Sequence, residues 1–181
     1  MENGDAIISV INGIIDRFDL VVATQDWHPP THKSFASNHP GAKPFDETEL
    51  HGLPQTLWPD HCVQTTSGAD FASELNAGPI ETIFRKGTDP EIDSYSGFYD
   101  NGHRKSTGLA DYLRGKAVNH VYLTGLAGDI CVYYSALDAV KEGFEVTVIL
   151  DGCKPLDAYG FEEKLSELRG KGVHVKRSQE L

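Results

Sequence analysis

Four short apolar runs, each ending in polar or glycine-bearing sequence, constrain the fold of this chain more than any other feature. They are LVVATQD (20–26), TIFRKG (82–87), HVYLTGL (120–126) and EVTVILDGC (145–153). Runs this short and this continuously apolar fit strands buried on both faces of a parallel sheet. Each of the last two leads into a helical stripe: Tyr133, Ala136, Leu137 and Val140, closed by Gly143, and then Phe161, Leu165 and Leu168, closed by Gly170. Strand and helix alternate, which predicts an α/β class, doubly wound parallel sheet flanked by helices, with sites at the carboxyl ends of the strands. Ile7, Ile8, Ile11, Ile14, Ile15 and Phe18 recur at helical spacing, so the chain is expected to open on an amphipathic helix.

A chain of 181 residues supports one domain, 1–181. Its formal charge of -11 opposes binding to nucleic acid or to an anionic membrane and favours a small-molecule partner. No apolar run reaches the ~18 residues of a membrane span, and the first residues are acidic where a secretory leader is basic, so a cytoplasmic protein is expected. The sequence neither requires nor excludes a homo-oligomer. Cys62, Cys131 and Cys153 form an odd set without framework spacing, as expected of free thiols in a reducing compartment.

Between Trp27 and Pro79 the periodic pattern lapses, apart from a helix expected near 69–75, and long loops of this kind usually carry function. In QDWHP (25–29), Asp26 and His28 sit two apart at a strand end, so their side chains point the same way and can reach one metal ion. His61, in WPDHCV, can supply a third ligand, leaving open positions that suit Zn, Fe or Mn. The alternative is that these are loop residues bonded to backbone. His32, His39, His51, His103, His120 and His174 are read as surface residues.

In LTGLAGDICVYYSALDAV (123–140), Asp129 is placed to cap a helix beginning at Ile130, with Cys131 in its first turn. A thiol there ionises more easily, and the same N–H groups can receive an oxyanion. A buried cysteine used as a small apolar residue is the competing reading. Lys86, ending its strand before Gly87, either points into the same crevice or snorkels at the surface. Cys62 and Cys153 rank below Cys131.

Taken together, QDWHPPTHKSF, GLPQTLWPDHCV, FRKG, DSYSGFYDNG and GLAGDICVYYSALDA resemble, in order, the nicotinamidases within the isochorismatase-like cysteine hydrolases. The resemblance implies an isochorismatase-like, Rossmann-like fold and hydrolysis of nicotinamide to nicotinate and ammonia, in NAD salvage. It implies Cys131 as nucleophile assisted by Lys86, and one divalent metal ion, Zn before Fe or Mn, on Asp26, His28 and His61. It also implies Trp58 and Tyr95 against the substrate ring, an oxyanion hole from the N–H groups of Ala127 and Cys131, and a cis peptide before Ala127. Where the family typically has Thr, this chain has Gly128, expected to add backbone freedom. The family's first strand, with its D-x-Q-N-D-F aspartate, does not precede Met1, so the chain is expected to lack that strand and to be a weak amidase. The rivals are another amidohydrolase of the superfamily, a non-catalytic homologue that binds nicotinamide or metal, and a metal-dependent oxygenase, which would leave Cys131 and Lys86 unexplained.

Overall fold

The computed structural model describes residues 2–181. Along the chain come α1 (Ile8–Ile14), β1 (Val21–Asp26), β2 (Glu47–Leu50), β3 (Leu53–Thr56), β4 (Ile80–Lys86), α2 (Leu109–Gly115), β5 (His120–Leu126), α3 (Tyr133–Lys141), β6 (Glu145–Lys154), α4 (Ala158–Gly170) and β7 (His174–Lys176). β1 pairs in parallel with β4, β5 with β6 and β6 with β7, while β2 and β3 make an antiparallel hairpin. The α/β class and parallel pairing are as expected. The parallel strands, however, form two separate ladders, β1-β4 and β5-β6-β7, among the described residues. No helix in this range is long and apolar enough to cross a membrane.

The core is densest around β6, where Val146, Val148 and Ile149 are almost wholly buried. α3 turns Ala136 and Ala139 towards this cluster, and α4 contributes Phe161, Leu165 and Leu168. The small alanines let the α3 backbone come close, and the larger side chains of α4 fill the space beside it. α1 and the 3-10 turn before it also lean on β6, burying Ile7 and Ile14, and Ile15 is buried in the 3-10 turn that follows.

The register of β1 with β4 sets the site. Asp26 and Lys86 are direct partners at the carboxyl ends of their strands, and one further bond, Trp27 N–H to the Lys86 carbonyl at 2.9 Å, prolongs the ladder. Beyond it the loops hold each other. His28 N–H donates to Cys62 O at 3.0 Å, Gln64 N–H to His28 O at 2.8 Å, Trp58 N–H to Ser34 O at 2.7 Å and Ala36 N–H to Trp58 O at 2.9 Å. The segments QDWHP and WPDHCV, about thirty residues apart in sequence, thus lie side by side.

The helix expected near 69–75 does not form; only a 3-10 turn, Ser67–Ala69, precedes irregular chain. Side-chain amides have taken its backbone groups. Gln25 Nε2 donates to Ala69 O at 2.8 Å, Asn12 Nδ2 to Glu74 O at 2.8 Å, and Asn76 N–H to Asn12 Oδ1 at 2.8 Å.

Candidate active site

At the end of β4, Lys86 is buried and its ammonium has three neighbours: Asp26 Oδ1 at 2.5 Å, the Ser94 carbonyl at 2.7 Å and Cys131 Sγ at 3.6 Å. These match its three donors. Burial opposes the charge, but Asp26 and the sulfur of Cys131 outweigh it and raise the Lys86 pKa above the ordinary lysine value. For Asp26, burial acts upward and Lys86, then His28, act downward; the carboxyl ends below its usual range. Aspartate and lysine therefore hold each other ionised beside the thiol.

Cys131 is half-buried within a π turn, Gly128–Val132, that leads into α3. The peptide Leu126–Ala127 is cis. Burial pushes the Cys131 thiol up, and Lys86 together with a backbone bond from Ala127 only partly offsets it. The easy ionisation expected from a helix start is not present at rest, so the thiol proton needs an acceptor. Asp129 does not cap this turn. Its carboxylate crosses to α4, accepting from Leu156 N–H and Asp157 N–H at 2.9 Å each.

Asp26, His28 and His61 each offer a ligand atom, all within 4.8 Å of one another. The chemistry of the set fits a metal ion. His28 Nδ1 lies 2.9 Å from Gly87 O, and His61 Nδ1 lies 2.8 Å from Pro59 O. A carbonyl can only accept, so each Nδ1 carries the proton and each Nε2 keeps its lone pair for a cation. Burial lowers the His28 pKa despite Asp93 and Asp26, which keeps the ring neutral and able to bind.

A second group, His28, His32 and Asp93, is equally close and wholly buried. His32 is 0% exposed, a correction to its reading as a surface residue. Its Nδ1 accepts from Ser34 N–H at 3.1 Å and sits 2.7 Å from Ser34 Oγ, so in the neutral ring the proton is on Nε2, which has no partner. Phe35, also 0% exposed, lies under His28, His32 and His61 with ring centroids 5.5 to 5.7 Å away. Neither Asp93 nor Phe35 stood out in the sequence. The His-x3-His spacing from His28 to His32 was the one available signal.

Trp58 and Tyr95 meet edge to face at 6.2 Å, joined by Trp58 Nε1–H to Tyr95 Oη at 3.3 Å. Gly128 has a reason unrelated to freedom: a Cβ there would lie 2.9 Å from Phe161 Cζ. Cys62 and Cys153 are pushed up to about 11 and about 12 by burial, which keeps both as inert thiols at neutral pH.

A thiol against a buried lysine–aspartate pair, beside two histidines with free Nε2, at the carboxyl ends of parallel strands, is the set of groups a cysteine hydrolase built on an α/β fold would need. The chain belongs to the isochorismatase family: the isochorismatase domain matches residues 1–180. It is 47% identical to the nicotinamidase of Escherichia coli over 155 residues, which cover 83% of this chain and 72% of that protein. A nicotinamidase/pyrazinamidase structure from Acinetobacter baumannii superposes with a TM-score of 0.95 at 44% identity, covering 98% of this chain and 86% of that one. A pyrazinamidase of Pyrococcus horikoshii, solved in complex with zinc, gives 0.78 at 36% identity, covering 98% and 88%.

Proposed function

We propose that this protein hydrolyses nicotinamide to nicotinate and ammonia through a thioester on Cys131, as a cytoplasmic step of NAD salvage. The observation that carries the reading is the 3.6 Å approach of Lys86 Nζ to Cys131 Sγ within a site that also gathers Asp26, His28 and His61. The likeness to nicotinamidases over most of the chain supports the substrate.

The carboxamide carbon lies against Cys131 Sγ while Trp58 and Tyr95 flank the ring. As the S–C bond forms, the thiol proton moves through the polar cluster at Lys86 to the amide nitrogen, and the carbonyl oxygen becomes an oxyanion held by Ala127 N–H and Cys131 N–H. The C–N bond then breaks and ammonia leaves with that proton. Water attacks the thioester, its oxygen joins the acyl carbon, and one of its protons returns to the sulfur while the other passes to ammonia or solvent as nicotinate departs. Asp26, His28 and His61 would hold a divalent cation, zinc first, and that cation would supply a Lewis-acid anchor for the pyridine nitrogen.

The test is ammonia release from nicotinamide by pure protein and by its Cys131→Ala variant. The variant should lose more than about 10³-fold in rate while still melting cooperatively and binding nicotinamide. Turnover by Cys131→Ala near the parent rate would remove the thiol from the mechanism.

A further inference from the structure

The hairpin β2-β3 sends one polar side chain, Gln55, into the site wall, where it is 3% exposed. Its Nε2 lies 2.8 Å from Thr56 O, 3.0 Å from Tyr95 Oη and 3.3 Å from Asp93 Oδ2. Two of these partners, a carbonyl and a carboxylate, can only accept, which fixes the amide with its nitrogen on this side. A nitrogen of that kind donates and cannot accept. Its two hydrogens face three acceptors, and the two nearer ones, Thr56 O and Tyr95 Oη, take them, with Asp93 Oδ2 the weaker contact; Tyr95 Oη thus accepts from Gln55, and it also accepts from the indole N–H of Trp58, a group that is only ever a donor.

Both lone pairs of the Tyr95 hydroxyl are thus engaged, and neither neighbour can take its proton. Resting on the nicotinamidase reading above, we infer that Gln55 is a positioning residue: with Trp58 it commits the Tyr95 O–H as a hydrogen-bond donor to an acceptor atom of the bound substrate. Burial, and after it the carboxylate of Asp93, raise the Tyr95 pKa above the ordinary phenol value, so the proton is retained. Asn101 Oδ1 accepts Tyr95 N–H at 2.9 Å and steadies the backbone of the same residue. The device selects ligands that present an acceptor beside Trp58, and it acts in binding rather than in the bond-breaking steps.

Five variants test it, the single changes Gln55→Glu, Gln55→Met and Tyr95→Phe and each Gln55 change combined with Tyr95→Phe, read by steady-state ammonia release, by nicotinamide affinity from tryptophan fluorescence and by thermal melting. Glu at this position offers an oxygen that captures the Tyr95 proton. Gln55→Glu and Tyr95→Phe should each raise KM about tenfold, the worth of one hydrogen bond, with kcat changed by less than about threefold. Gln55→Met, which adds no charge beside Asp93, should raise KM in the same direction if Gln55→Glu fails to fold. In the Tyr95→Phe background neither Gln55 change should raise KM further. An equal loss with and without the Tyr95 hydroxyl would make Gln55 a merely structural residue and overturn the inference, as would unchanged KM in both single Gln55 variants. If the parent protein binds nicotinamide without releasing ammonia, the hydrolytic reading fails while the same cycle, read in Kd, still decides the role of Gln55. Absence of nicotinamide binding to the parent overturns both.

Discussion

Gly87 shows how one missing side chain sets a ligand. Its φ is +63°, and a Cβ built there would overlap the imidazole of His28, whose Nδ1 is bonded to the Gly87 carbonyl. Gly87→Ala should push the ring off that carbonyl and weaken metal affinity by about 10- to 100-fold, read by chelator competition, because the orienting bond is lost with the space. Gly128 is a second clearance. Gly128→Thr, the residue usual in the family, should collide with Phe161 and destabilise the fold by about 1 to 3 kcal/mol in urea unfolding. Shortening the ring in Gly128→Thr/Phe161→Leu should recover part of that, and equal stability of the parent and the single variant would refute the clearance. Neither constraint was legible in the sequence, because it depends on which distant side chain folds against the glycine. Asp26 and His28 were legible since two residues in extended chain share a face, whereas His32 looked like surface because nothing local reveals that Ser34 and Phe35 enclose it.

The π turn that carries Cys131 and the start of α4 are tied through two aspartates in series. Asp129 accepts from Leu156 N–H and Asp157 N–H, and Asp157 in turn caps α4, accepting from Tyr159 N–H and Gly160 N–H at 3.0 Å each. Asp129→Ala leaves two backbone donors without their partner and frees the turn two residues before the thiol. It should cost about 1 to 3 kcal/mol in unfolding free energy and slow ammonia release as well. Asp157→Ala should cost about 1 kcal/mol and leave the rate nearly unchanged, since it acts only on a helix end. A rate loss as large for Asp157→Ala as for Asp129→Ala would show that helix α4, and not the turn, governs the thiol. At this scale four of the strands were read to within a residue or two, β5 spanning the run at 120–126 and β6 exceeding 145–153 by one residue, whereas β7, three residues long, was not read at all. The hairpin was missed because ETEL and LPQT show neither an apolar run nor a turn pair, and its register is held instead by backbone bonds and by the Thr56 hydroxyl, which donates to Glu47 Oε1 at 2.8 Å.

At the scale of the molecule, the ladder β1-β4 supplies Asp26 and Lys86, the ladder β5-β6-β7 supplies the turn with Cys131, and the long loop supplies His61 and Trp58. That the site would lie at strand ends followed from the alternation of strand and helix; how the loop would close over it did not, since its fixings are backbone bonds between segments with no shared periodicity. A cation on Asp26, His28 and His61 spans the strand end and that loop, so it binds the folded chain far better than the unfolded one and must stabilise it. Metal-loaded protein should contain about one Zn, Fe or Mn per chain by elemental analysis. Chelation should lower its melting temperature, and free metal at about a thousandfold above Kd should restore about 4 kcal/mol. The two histidines separate this linkage from packing. His61 is half-buried and held to its own loop at Pro59, so His61→Ala should abolish the metal-dependent shift while the metal-free melting temperature hardly changes. His28 is 1% exposed and packed on Phe35, so His28→Ala should lower the metal-free melting temperature too. A parent protein whose melting is indifferent to chelator, or a His61→Ala variant that keeps the full shift, would remove His61 from the metal site and leave the loop held by its backbone bonds alone.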